Sequence, residues 1–428
     1  MAGRRVYVVD GARTPFLKAQ GAPGPFAAAD LAVVAGKALL ARQSLDAQSI
    51  DEVILGCMMP SEHEANIARI VAVRLGLGDD TPGWSVQRNC GSGLQAIDCA
   101  FQAIQSGRSE LVLAGGTEAM SRSPLLWQAS LVRWFAQLQR QKSVPQKLKH
   151  LLKLKLKDLA PVIALKCGLT DPLIDLNMGQ TVEKVADEFG ISRQEMDAYA
   201  VQSHERLAKA QDLSALSEIV PLFHPNGQCI TGDDGLRRDS SIDKLAKLKP
   251  YIEKPFGQVT AGNSSQITDG AALLLLASED MVKRHDLPVL GSIVDIEWAA
   301  CDPVYMGLGP TMAASQLLQR HYLHPSTIDY GEINEAFAGQ VLACQNVFAN
   351  PALSQRFLHT DAPGAIANDR LNVDGGSIAL GHPVGATGAR ITLHLLHVLK
   401  RMGAKRGVAS LCVGGGQGGA VPLESGGS

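Results

Sequence analysis

Three side chains far apart in the chain have the types needed for nucleophilic and acid–base chemistry: Cys90, His382 and Cys412. Cys90 sits in Ser85-Val86-Gln87-Arg88-Asn89-Cys90-Gly91-Ser92-Gly93, between a β-prone run and an Ala-rich helical pattern. The spacing places its thiol at or beside the first turn of a helix. There the unpaired N–H groups and the positive end of the helix dipole favour an anion. Such a cysteine is expected to have its pKa lowered from ~8.5 to roughly 3.5–7.5. His382 lies in Gly381-His382-Pro383-Val384-Gly385-Ala386-Thr387-Gly388, and Cys412 opens Cys412-Val413-Gly414-Gly415-Gly416. Both stretches read as turns too rich in glycine to serve packing, each carrying one reactive side chain. A nucleophile, a base and an acid are then available as Cys90, His382 and Cys412.

The elements that must position them alternate. The first strand is read at Val6-Tyr7-Val8-Val9 and a helix around 27–42. A strand follows at Val53-Ile54-Leu55-Gly56 and a helix from Glu62 to about Leu75. The Cys90 helix runs to about Gly107, and a short strand, Leu111–Ala114, stops at Gly115-Gly116. The second half repeats this plan. Leu371-Asn372-Val373 leads to the His382 turn, a helix runs from Ala389 to about Met402, and the strand Val408–Leu411 stops at Cys412. Apolar runs at Ala272–Ala277 and Val289–Ile296 supply further strands. Strand, reactive turn, helix, strand and glycine stop thus occur twice, which reads as an internally duplicated α/β chain facing itself across one site.

Composition bounds the rest. The 428 residues suffice for two or more full cores. A net charge of −2 gives no bias toward nucleic acid, and the 43 glycines imply many tight turns. The eight cysteines show no metal-like spacing and no CxxC, as expected of reduced thiols in a bacterial-type cytoplasmic protein. Cys57, Cys99, Cys167, Cys229, Cys301 and Cys344 are read as packing residues. The first apolar run is too short for a signal peptide, no stretch is long enough to span a bilayer, and the tail from Glu424 to Ser428 is expected to be disordered.

Residues 122–250 break the alternation and read as a mostly helical insertion that covers the site. Ser192 followed by Glu195 is a capping-box signal. Within the insertion, Arg140, Lys142, Lys147, Lys149, Lys153, Lys155 and Lys157 crowd around leucines, with Leu148, Leu151, Leu152 and Leu159 on one helical face. Two readings stay open. One is a solvated basic helix, and the other is an amphipathic dock for an anionic membrane, a partner or ligand phosphates.

Five blocks, in order and spanning nearly the whole chain, resemble the signatures of the thiolase family. They are Arg88-Asn89-Cys90-Gly91-Ser92-Gly93, Ala261–Ala272, Asn334-Glu335-Ala336-Phe337-Ala338, Gly381-His382-Pro383 and Cys412–Gly416. The resemblance implies two duplicated βαβαβ halves in an α/β/α/β/α stack with a helical loop subdomain. The boundaries are then 1–121 and 251–285 for the first half, 122–250 for the subdomain and 286–428 for the second half. It implies that Cys90 is acylated, that His382 activates it and that Cys412 moves the proton at the α-carbon of acetyl-CoA. One oxyanion hole would use His382 and a water held by Asn334, which outside its block would be read as a helix cap. The other would use the N–H groups of Cys90 and Gly414.

For coenzyme A, a substrate rather than a bound cofactor, the resemblance places Ser265 and Met178 beside the pantetheine, and Ala336 and Phe337 along the same tunnel. Arg237, next to Arg238, falls at the adenine end. No metal or permanent cofactor is expected, and the family's dimers and tetramers imply a homo-oligomer.

The acetoacetyl-specific members have His where this chain has Asn177. The insert at about 139–161 is similar to that of trifunctional-complex β subunits, which have His where this chain has Asn334. The expected activity is a degradative 3-ketoacyl-CoA thiolase of β-oxidation. An acetoacetyl-CoA condensing enzyme is the nearest alternative, and a non-catalytic lipid carrier or scaffold is the alternative from another class. Decarboxylating ketoacyl synthases share the fold but lack the second cysteine.

Overall fold

The computed structural model describes residues 4–426. The first half supplies β1 (Val6–Arg13), β2 (Leu17–Lys18), α1 (Ala28–Leu40), β3 (Glu52–Gly56), α2 (Ile67–Leu75), β4 (Gly83–Val86), α3 (Ser92–Gln105) and β5 (Leu111–Ala119). The insertion contributes α4 (Ala129–Gln139), α5 (Val144–Leu151), α6 (Met178–Glu188) and α7 (Arg193–Asp212). The chain then returns through β6 (Thr268–Ser278), β7 (Gly291–Ile293), β8 (Glu297–Ala300), α8 (Gly309–Arg320), β9 (Tyr330–Ile333) and α9 (Ala338–Ala349). It ends with α10 (Val384–Met402), β10 (Arg406–Val413) and β11 (Gln417–Ser425).

The strands form one continuous sheet in the order β9-β10-β11-β7-β1-β6-β5-β3-β4, with β8 on β11 and β2 on β6. The halves join where β1 pairs antiparallel with β7, Val6 opposite Ile293. In each half a parallel pair adjoins an antiparallel one: β3 with β5 then β5 with β6, and β9 with β10 then β10 with β11. The counterpart of β4 has shrunk to a single parallel bridge, Gly331 to Leu371.

Strand residues alternate between two cores with the expected period of two. Leu111, Leu113, Leu273 and Leu275 pack with α1 and α2, whereas Val112, Ala114, Leu274 and Leu276 pack with α3 and α10. That second core also holds Leu411, Val421 and Leu423 of the other half, so α3 and α10 form a shared central layer. On the far side α8 and Phe348 of α9 pack against β10 and β11. The result is the five-layer stack the resemblance implied. Strands buried on both faces read as unbroken apolar runs, and β6, buried along its whole length, does so from Ala271 to Ala277.

Several boundaries differ from expectation. β5 does not stop at Gly115-Gly116 but runs on to Ala119. The two glycines are there for close approach: a Cβ on Gly116 would lie 1.9 Å from the carbonyl oxygen of Gly385. α10 likewise begins at Val384 rather than Ala389, and a Cβ on Gly388 would lie 2.4 Å from the Leu94 nitrogen. The glycines of the His382 stretch therefore do serve packing, bringing α10 onto α3 and β5. α2 starts at Ile67 because Asn66 caps it, while the preceding Glu64 is buried and accepts from Ser61 and the Ala29 N–H. Glu424 and Ser425 belong to β11, tied by Glu424 to Arg5 and Arg406. Gly427 and Ser428 lie outside the described residues.

Candidate active site

The Cys90 turn is a strained elbow between β4 and α3. Asn89 holds a left-handed φ of 43°, unusual for a residue with a side chain. Ser92 closes the turn by donating to the Asn89 carbonyl at 2.6 Å and accepting from the Arg88 N–H at 2.9 Å. The Asn89 amide reaches the second half, donating to the Gly414 carbonyl at 3.0 Å. Trp298 of β8 braces the elbow. The Arg88 guanidinium lies 4.0 Å from its ring, and its indole N–H donates to Asp98 at 2.9 Å.

Cys90 itself is half-buried. The N–H groups of Gly414 and of Cys90 both point at its sulfur. They do not make it a resting thiolate. Burial dominates and, with a push from the Glu118 carboxylate, raises the thiol to about 11. The expected lowering is therefore corrected: desolvation outweighs two N–H dipoles and a helix end.

His382 precedes α10 as Cys90 precedes α3, and the two helix starts touch: a Cβ on Gly93 would lie 2.7 Å from the Gly385 oxygen. Gly381 makes this turn possible, with φ of 109° and a Cβ position 2.3 Å from Thr268. The imidazole is buried, and burial followed by the nearby Arg390 charge lowers its pKa to about 3. The imidazole is therefore neutral at any working pH. Nδ1 meets the Thr387 hydroxyl at 2.7 Å, and that hydroxyl spends its own hydrogen on the Pro383 carbonyl at 3.0 Å. Nδ1 must then carry the proton, leaving the lone pair on Nε2. Asn334 faces Nε2 with its amide nitrogen at 3.5 Å. Asn334 does not cap α9, whose cap is Phe337.

Cys412, near the end of β10, is 2% exposed. Burial holds its thiol well above the usual value, with a further push from neighbouring Cys90. It shares an apolar cluster with Met306, Ala336, Met178 and Phe337, so three of the proposed tunnel residues gather against this thiol. The Ser265 N–H donates to the Ala336 carbonyl at 2.9 Å, placing it on the same wall. Arg237 stands apart, in an exposed cavity of about 380 Å³ with His204, Lys209 and Arg238. Arg238 is committed to Asp212 at 2.8 Å; Arg237 makes no ion pair among the described residues. Asn177 spends its side chain capping α6 through Gln180. Among the described residues no cluster of three or more His, Cys, Asp or Glu could hold a metal ion, and no helix is long and apolar enough to cross a membrane.

Comparison with known proteins gives the family. Residues 6–280 match the thiolase N-terminal domain and residues 287–425 the thiolase C-terminal domain. The chain belongs to the thiolase family. It is 38% identical to the human mitochondrial 3-ketoacyl-CoA thiolase over 99% of this chain and 98% of that protein. It is 35% identical to the cattle mitochondrial trifunctional enzyme subunit beta, over 99% and 88%. The crystal structure of the human mitochondrial enzyme in complex with CoA superposes with a TM-score of 0.84, at 37% identity, covering 99% of this chain and 98% of that one. Fold and family establish the reaction class, acyl transfer.

The motifs did not point to Asn89, Thr387, Ser377 or Glu335 as parts of the site. Glu335 is buried and collects donors from Ser203, Tyr199, Asn372 and the Ile378 N–H, which fixes the loop carrying Asn334. Its place in a quoted block was a usable signal; its partners, Tyr199 and Ser203 more than 100 residues away in α7 and Asn372 and Ile378 37 and 43 residues on, were not.

Proposed function

We propose that this thiolase cleaves 3-ketoacyl-CoA with coenzyme A to acetyl-CoA and a shortened acyl-CoA, as in β-oxidation. What supports the reading is that Cys412 feels the charge of Cys90, that burial keeps both thiols protonated, and that His382, on the turn whose helix start touches that of Cys90, is held neutral with its lone pair on Nε2. His382 takes the Cys90 proton, and the sulfur attacks the 3-keto carbon. The bond between C2 and C3 breaks, its electrons leave as the acetyl-CoA enolate, and Cys412 protonates C2. Coenzyme A then gives its thiol proton to the Cys412 thiolate and attacks the acyl-enzyme. The released Cys90 thiolate recovers its proton from His382.

Developing oxyanions need fixed donors. The N–H groups of Cys90 and Gly414 supply one pair, and protonated His382 with Asn334 supplies the other. Ser265, Met178, Ala336 and Phe337 would hold the pantetheine arm, and Arg237 the adenine end. We divide the chain into halves 1–121 with 251–285, and 286–428, with 122–250 as the substrate cover. A homodimer or homotetramer is the proposed assembly.

We further assign a docking role to the segment 125–163. It exposes Leu125, Trp127, Val132, Phe135, Leu148, Leu152 and Leu156 among its basic residues. Its hairpin is held by Trp134 stacked on buried His150 at 5.4 Å. α5 ends at Leu151, so Leu159 does not share its face and the single stripe expected from sequence is broken. An anionic membrane or an acidic oxidation partner would meet this surface.

The test of the reaction is thiolysis across 3-ketoacyl-CoA substrates from acetoacetyl to long chain. Rates that rise with chain length are expected. Activity confined to acetoacetyl-CoA would move the protein to the condensing type, and no activity at all would favour a carrier or scaffold.

A further inference from the structure

A chain of buried hydrogen bonds runs into His382 from a residue that plays no part in the reaction as written. Arg390 of α10 is 1% exposed and paired with Glu332 at 3.0 Å. A guanidinium can only donate. Its Nη2 reaches the Ser377 hydroxyl at 3.5 Å, so that oxygen accepts. The single Ser377 hydrogen is then directed to the Asn334 amide oxygen at 2.6 Å. With its oxygen so held, Asn334 presents its NH2 to Nε2 of His382. Nε2 must accept, the ring proton sits on Nδ1, and Thr387 passes the sense on to the Pro383 carbonyl, which can only accept. The chain begins at an obligate donor and ends at an obligate acceptor. Only one direction satisfies every member.

We propose that Ser377 is a positioning residue: polarised by Arg390, it fixes the orientation of the Asn334 amide and thereby keeps the lone pair of His382 on Nε2. The inference rests on the reading of His382 as the base. Without the Ser377 hydrogen nothing prevents the amide from turning over. An oxygen facing Nε2 would favour the other tautomer and remove the base from the site. It would also replace a donor by an acceptor where the thioester oxyanion forms. With the amide held, proton transfer from Cys90 leaves Nε2–H and the Asn334 N–H as two donors, and a negatively charged oxygen is the partner that satisfies both.

Two measurements test this on the full chain. In thiolysis of acetoacetyl-CoA, Ser377→Ala is expected to lower kcat about ten- to a hundredfold, the range of one misplaced catalytic donor or base. KM for coenzyme A should stay within about twofold, and Ser377→Thr, which keeps the hydroxyl, should recover most of the rate. Wild-type kcat in Ser377→Ala would overturn the proposal. The second readout is the ¹⁵N spectrum of His382, assigned by its loss in His382→Asn. The expected result is a proton on Nδ1 alone from pH 5 to 9 in the native protein, and mixed tautomers in Ser377→Ala. A native His382 protonated on Nε2 overturns the inference even if Ser377→Ala does not fold. Because the spectrum needs no turnover, an inactive native protein would refute the proposed reaction without deciding the tautomer.

Discussion

The two reactive turns occupy equivalent places in the duplicated halves and are built in opposite ways. Each follows a strand or its remnant and precedes a central helix, α3 after Cys90 and α10 after His382. The cysteine turn is held from outside, by Asn89 in a left-handed conformation, by Trp298 and by a bond to Gly414. Cys90 stays partly open as a residue, although its sulfur is desolvated. The histidine turn is buried, and both ring nitrogens have partners. The proposed nucleophile must be reached by substrate, whereas the proposed base is tuned by keeping water away. One ancestral frame has been specialised in both directions, with strain on one side and saturation on the other.

Removing the reactive atom breaks the comparison most sharply. Cys90→Ala should abolish thiolysis, a loss of about 10⁴-fold or more, since in the proposed reaction no other side chain forms the acyl-enzyme. The melting temperature should change little, because the half-buried sulfur is not a core group. A variant that keeps a tenth of the native rate would refute the assignment.

The strain at Asn89 can be separated from its hydrogen bond. Asn89→Gly keeps the left-handed backbone and loses the 3.0 Å bond to Gly414; about 1 kcal/mol, or a fivefold fall in kcat/KM, is expected. Asn89→Ala also loses the tolerance for positive φ, worth about 1–2 kcal/mol more, or a further five- to thirtyfold. Equal rates for Gly and Ala would show that the backbone conformation does not matter.

The smallest effect on catalysis should come from the basic hairpin. Replacing Lys149, Lys153, Lys155 and Lys157 by Gln should leave the rate on soluble acetoacetyl-CoA within about twofold. The same variant should lose binding to vesicles rich in anionic lipid, or to an acidic partner enzyme, since juxtaposed lysines contribute about 1 kcal/mol each at such surfaces. Unchanged binding to both would return the segment to an ordinary solvated face.

What could be read in the sequence follows from how local each determinant is. Cys90, His382 and Cys412 announced themselves by unusual neighbours, and the doubled order of strand, turn and helix gave the symmetry. The glycine stretches were misread because their reason is a contact from another half. Gly116 and Gly385 are 269 positions apart, yet there is no room between them for one carbon. The direction of the Cys90 pKa was misread for a related reason: a local motif shows the helix end but not how much water the rest of the fold removes. Ser377 and Thr387 look like ordinary turn and helix residues. Their roles appear only when donors and acceptors are followed across the site.

The seam between the halves has a consequence for how the molecule is made. β1 leaves the ribosome long before its two neighbours, β6 and β7, which begin at Thr268 and Gly291. At roughly 5–20 residues per second, β1 has no native partner for about fifteen to fifty seconds of synthesis. The central strand of the finished sheet is therefore the one that waits longest to be paired, and the first half cannot close until β6, which lies beyond the whole insertion, has been made.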